Sequence, residues 1–169
     1  MPLPLFDGEA MPPSLFNRLF TYLFVERPAR QQSLAQLVAQ LQQSTHELAL
    51  RLTTVPNTAE NYHQMAHILT LERWGQSRLR VALGQPFVAD ESDAYAPSAE
   101  RVFVELINDF LAAREQTLEI AQAIQQANPP ADLKILHDQF GPLSVKGWLR
   151  YLTEHADLES ERLHTSVSR

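Results

Sequence analysis

Apolar residues recur at three- and four-residue spacing along most of the chain, broken at stretches rich in proline or glycine. That period predicts helices. Over residues 33–52, Leu34, Leu37, Val38, Leu41, Leu48 and Leu52 share one face with glutamines opposite, and His46 falls on the solvated side. The short connection that follows predicts a second helix returning antiparallel beside the first. It opens at Asn57 with Glu60 as capping-box partner, carries Met65, Ile68, Leu71, Leu79, Ala82 and Leu83 on one face, and ends at Gly84. Ser98 caps a third helix, with Phe103, Leu106, Ile107, Phe110, Leu111, Leu118, Ala121 and Ile124 on one side, which Asn128-Pro129-Pro130 stops. No polar residue breaks its face, so it is predicted to supply walls. Ser144, after the Gly141-Pro142 turn, caps the last helix, whose face runs through Val145, Trp148, Leu149, Leu152, Ala156 and Leu163.

The segments between carry weaker patterns. Residues 1–13 hold four prolines and predict an extended arm. Ser14 can cap a short helix to Glu26 that is apolar over much of its surface and needs covering, by the core or by a dimer or membrane-surface contact. Residues 84–97 form a long connection that can cross one end of the molecule or lie over a pocket as a lid. Its acidic cluster, Asp90, Glu91 and Asp93, lacks the ligand spacing and central glycine of a calcium loop and predicts a solvated loop. Residues 131–143 predict a short turn of helix covering one end, with His137 structural or exposed. The expected class is all-α, as one domain over residues 1–169 with a tail at 165–169.

Composition narrows the function. An apolar fraction of 44% in 169 residues supports a sizeable core, and five Gly against eleven Pro fit long helices with firm stops. With no cysteine there are no disulfides or thiolate ligands, which favours hydroxyl or metal-bound water as the nucleophile of any catalysis. A net charge of −6 without a Lys/Arg run argues against nucleic-acid binding. No window is apolar enough to span a membrane and no signal peptide opens the chain, so the expected location is the cytoplasm.

Three polar residues stand on apolar faces. At about 100° per residue, His155 and Glu159 fall between Leu152 and Leu163, and Glu72 lies beside Ile68 and Leu79. A carboxylate among leucines is costly without a partner, so the last helix either leaves the core before Glu159 or meets a cation there. His67 lies at the margin of its face, where a hydrogen-bonded core histidine is the ordinary role. With His63 it forms an i,i+4 pair able to chelate a metal, but Gln64 stands where a zincin requires glutamate.

The segment HILTLERWGQSRLRVALGQPF, with Glu72 five residues after His67, resembles the second helix of DinB-like (DinB/YfiT) proteins, and HDQFGPLSVKGWLRYLTEHADLESERL resembles their last helix with its preceding turn. The similarity extends from about Ser33 to the end. It implies a four-helix bundle with a long crossover, commonly a homodimer, holding a divalent metal through one His of the second helix and two His spaced i,i+4 on the last. His67 and His155 match two of these positions; Glu159 stands where the third His is expected. Two His and one Glu remain a competent set for zinc, and three such ligands suit iron or manganese; nickel completes the expected range. The resemblance implies either metal-bound water as the nucleophile of a hydrolase, or exchange of that water for the thiolate of a low-molecular-weight thiol in a transferase. Glu72 is the candidate catalytic group that orients a ligand or takes a proton. The alternative is a non-catalytic dimeric bundle, a stress-linked accessory or scaffold protein that has lost its metal, in which His155 and Glu159 form an ion pair.

Overall fold

A computed structural model describes residues 19–165 of the chain, so the residue 1–13 arm and the proposed Ser14 cap lie outside the described residues. The described residues are mostly helical: α1 (Arg27–Arg30), α2 (Leu34–Leu52), α3 (Ala59–Val81), α4 (Phe103–Ala127) and α5 (Val145–Ser160), with strands β1 (Lys134–His137) and β2 (Gly141–Ser144) between α4 and α5. No described helix is long and apolar enough to cross a membrane.

Helix α2 starts where expected, on a capping box in which Gln36 N–H donates to Ser33 Oγ and Ser33 N–H donates to Gln36 Oε1. Thr58, not Asn57, caps α3 by accepting from Asn61 N–H at 3.2 Å. Asn61 instead joins the connection before α3 to the segment after α5, its amide donating to the Pro56 and His164 carbonyls at 2.9 Å. Helix α4 begins five residues beyond Ser98: the chain stays extended at Val102, whose N–H donates to Glu105 Oε2. Ahead of α1 the helix does not stop at Pro28. It widens into a π turn over Tyr22–Glu26, with Arg27 N–H bonding the Tyr22 carbonyl, and this accommodates the missing proline N–H. The Phe24 carbonyl accepts from Arg150 Nε instead.

Helices α2 and α3 each pack against both α4 and α5. The expectation that α3 would lie directly beside α2 is corrected: residues 53–58 are long enough to carry the chain past the nearest position, and α2 takes α4 and α5 as its main neighbours. Two apolar clusters fill the interior, one around Leu41, Trp74, Ile124, Trp148 and Leu152, the other around Leu48, Met65, Phe103, Phe110 and Ala156. Gly75 sets how closely α3 approaches α5, because a Cβ there would overlap the Leu152 side chain.

The expected turn of helix before α5 is a β-hairpin, with Ile135 opposite Leu143 and His137 opposite Gly141. Gly141 takes φ 75°, a conformation glycine adopts freely, and Pro142 has no N–H to continue a helix. Alternation buries Ile135 and His137 against the helices. The hairpin is pinned at its base by Glu26, which accepts from Ser144 N–H at 2.6 Å and from Lys134 Nζ at 3.0 Å. Burial raises the Glu26 carboxyl, but the Ser144 amide and Lys134 ammonium outweigh it and hold the group below its ordinary range.

Candidate metal centre

His67 is near the middle of α3, and His155 and Glu159 lie one turn apart on α5. The packing of these helices brings one ligand atom from each residue within 4.8 Å of the others. The imidazole rings of His67 and His155 are 5.4 Å apart between centroids. His67 is exposed, while His155 and Glu159 are partly buried. Tetrahedral coordination at about 2.0–2.2 Å places donors about 3.4 Å apart. Small side-chain rotations would therefore close the three onto one cation, and the donor set of two imidazoles and a carboxylate fits a divalent ion.

Burial, reinforced by neighbouring His67, lowers the His155 imidazole to about 4 despite the opposing pull of Glu159. At neutral pH His155 thus carries a free lone pair, the state a ligand requires. Glu159 is oriented by Gln64, whose amide donates to its Oε2 at 2.7 Å and to its carbonyl at 3.0 Å. The cation expected near Glu159 is Arg162, which reaches Oε2 at 2.8 Å from the exposed side. Gln64, which excludes the zincin pattern, is therefore the residue that positions the carboxylate.

His63 is exposed and stands apart from the cluster; His67 has its partners on α5 instead of one turn away on its own helix. Glu72 is buried at 2% exposure and faces the interior. Its Oε2 meets Arg114 Nη1 at 3.1 Å and its Oε1 accepts from Thr117 Oγ1 at 2.5 Å. Among the described residues it makes no hydrogen bond to His67, His155 or Glu159. The five-residue step from His67 turns it about 140° around the helix, toward α4. Arg114 and Thr117 correct the expectation that α4 offers only apolar walls, since both are completely buried.

A cavity of about 340 Å3 opens from the cluster along α5, lined by Tyr151, His155 and Glu159 on one side and by Trp74, His137 and Phe140 toward the hairpin. Ser92, on a short 3-10 turn (Ser92–Tyr95), lines its mouth and that of a second cavity of about 540 Å3 reaching along α3 past His63. The long connection thus contributes lining to both cavities, through Ser92 to the first and through Ser92, Asp93, Ala96 and Pro97 to the second. It is held from below by Arg78, which donates to the Val88 carbonyl at 2.5 Å and the Asp90 carbonyl at 2.7 Å, and pairs with Asp90 Oδ1 at 3.0 Å. Asp90 is thereby a partner of Arg78 instead of a wholly solvated acid. Burial raises the Tyr151 phenol, with the Glu159 charge adding to it, so its hydroxyl keeps its proton.

No family model, curated protein or solved structure matches the chain.

Proposed function

We propose that the chain binds a divalent cation through His67, His155 and Glu159, in a four-helix bundle of the DinB-like kind, and acts with it on a small molecule as a hydrolase or a thiol-dependent transferase. One observation carries this: two helices far apart in sequence bring two imidazoles and a carboxylate within 4.8 Å of one another at the end of a cavity. The packing of α2 and α3 against both α4 and α5, with a long connection between α3 and α4, supports the bundle. A divalent ion held there supplies Lewis acidity and one further position for water or a thiolate sulfur. The chain's own residues prepare the place. His155 is held neutral, Gln64 fixes Glu159, and the protonated Tyr151 hydroxyl is available to donate to a bound molecule.

A second reading rests on the Glu159–Arg162 contact, which already compensates the carboxylate. In that case the chain is a non-catalytic scaffold, and the exposed Leu19, Leu23 and Phe24 favour pairing of two copies. Metal content separates the two. After purification without a nickel column, zinc, nickel, iron and manganese are measured per chain in the parent and in His155→Ala. About one ion in the parent, lost in the variant, is expected; an empty parent that stays empty after reconstitution leaves the scaffold.

A further inference from the structure

The hairpin end of the cavity contains a donor with nothing to donate to. His137 is 3% exposed, and its Nδ1 accepts from the Gln139 and Phe140 amides at 3.2 and 3.4 Å, which places the ring proton on Nε2. Nε2 is buried and meets no acceptor among the described residues. A buried N–H left unpaired forfeits the hydrogen bond it would make with water, so an acceptor there is favoured. The ring cannot swing to find a partner, because it is stacked between Phe140 and Trp148 at centroid distances of 4.5 and 5.1 Å and edged by Trp74 and Tyr151 at 5.0 and 4.8 Å. His137 lines the same cavity as His155 and Glu159.

We propose that His137 Nε2–H is the fixed recognition donor of a ligand pocket, and that its ligand is a small, planar molecule carrying a carbonyl or carboxylate oxygen. A cavity of about 340 Å3 is at the lower end of the range for small-molecule sites, and the rings of Trp74, Phe140 and Tyr151 in its lining offer flat faces to a planar body. Burial, with the Arg78 charge adding to it, depresses the imidazole to about 3, so the donor stays neutral and reads an acceptor oxygen without requiring a full negative charge. The proposal rests on the ion-site reading only for the ligand's other end, which would approach His155 and Glu159.

The chain's two tryptophans, Trp74 and Trp148, both touch His137, so intrinsic fluorescence reports occupancy of this end. Benzamide and benzoate are titrated into chelator-treated and zinc-loaded full-length protein, and into His137→Phe, His137→Gln and His155→Ala. A saturable change is expected with at least one probe, weakened about tenfold in His137→Phe, the equivalent of one lost hydrogen bond, and partly restored in His137→Gln, which keeps an N–H donor. Benzoate preferred over benzamide assigns a carboxylate; the reverse assigns a neutral carbonyl. Zinc should tighten benzoate only where His155 is present; loss of that effect with benzamide binding intact would sink the ion site and leave this pocket standing. No saturable response to either probe, or equal binding by a folded His137→Phe, overturns the proposal. If His137→Phe does not fold, proton NMR of the parent decides: the Nε2–H resonance moves downfield on adding the probe, or stays in place and the proposal is lost.

Discussion

Arg114 of α4 and Glu72 of α3 meet at 3.1 Å with their side chains 0% and 2% exposed. Arg114 also donates to Ser44 Oγ at 2.8 Å, and Ser44 donates to Asp157 Oδ1 at 2.6 Å, so one polar chain links all four long helices. Gln76 extends it, donating to Thr117 Oγ1 at 3.1 Å. Such a network fixes how the helices face one another, and the same helix placement brings His67 opposite His155. Breaking one side leaves a charge buried without its partner. Arg114→Met and Glu72→Leu are each expected to cost about 3–5 kcal/mol in urea unfolding, and the double variant markedly less than their sum. Simple additivity would show that the two side chains do not depend on each other. A metal content unchanged in a folded Glu72→Gln would also confine Glu72 to this structural role.

Arg78 predicts how firmly the connection is held beside the cavities. Its guanidinium lies 4.8 Å from both the Trp74 and Phe87 rings while its donors hold Val88 and Asp90. Lysine retains the charge but not the fork that reaches two carbonyls and a carboxylate together. Arg78→Lys is therefore expected to raise amide exchange over residues 86–97 by tenfold or more while exchange in the centre of α4 changes little. Equal protection in the two proteins would mean the connection is held by its own turns.

Much of this arrangement is legible in the sequence because long helices repeat their pattern. Helices α2 and α5 span 19 and 16 residues, and the N-cap Ser144 is visible before any packing is known. The hairpin is not, since four-residue strands are too short for alternation to emerge. Arg114 is hidden by its neighbours: the apolar face runs through Phe110, Leu118 and Ala121, yet Arg114 and Thr117 share that stripe at the four- and seven-residue steps from Phe110. Polar residues at those steps were the available signal. Glu72 was recognisable as a buried carboxylate, but its partner on another helix was not, because helix-to-helix pairing is set by packing instead of local spacing. His137 gave no sign of burial because its inward direction follows from the hairpin register.

Acid should expose the buried imidazole at His137. Its folded pKa is lowered to about 3 from the ordinary 6.5, so the unfolded chain takes up a proton that the folded chain refuses. Stability contributed by this group is complete above about pH 6.5 and falls as pH drops toward 3. The Arg78 charge faces it and shares in the depression, and His155 adds to it only once it is itself protonated at more acid pH. Between pH 7.5 and 5.5 the loss from His137 alone is about 1.4 kcal/mol, and His155, lowered to about 4, acts in the same direction. The Glu26 carboxyl, also lowered, adds its own loss only at more acid pH. Urea unfolding at the two pH values should show the drop in the parent and a smaller one in His137→Phe. Identical pH dependence in both would mean that His137 titrates normally in the fold.

Glu159→His tests whether the third position of the cluster is a ligand. Imidazole replaces a carboxylate that Gln64 and Arg162 already engage, so the substitution removes the negative charge that holds Arg162 and weakens the competition for the third position. Three neutral imidazoles bind zinc at about 2.0–2.1 Å, but at low pH each must first lose its proton. Zinc affinity at pH 7.5 is expected to rise about tenfold or more in Glu159→His, with a steeper fall toward pH 5.5 than in the parent. Glu159→Gln keeps the side chain's size but lacks a charged oxygen, and should bind zinc less tightly than the parent. If competition with a fluorescent chelator gives all three proteins the same affinity, Glu159 is not a ligand and its partners are Gln64 and Arg162 alone.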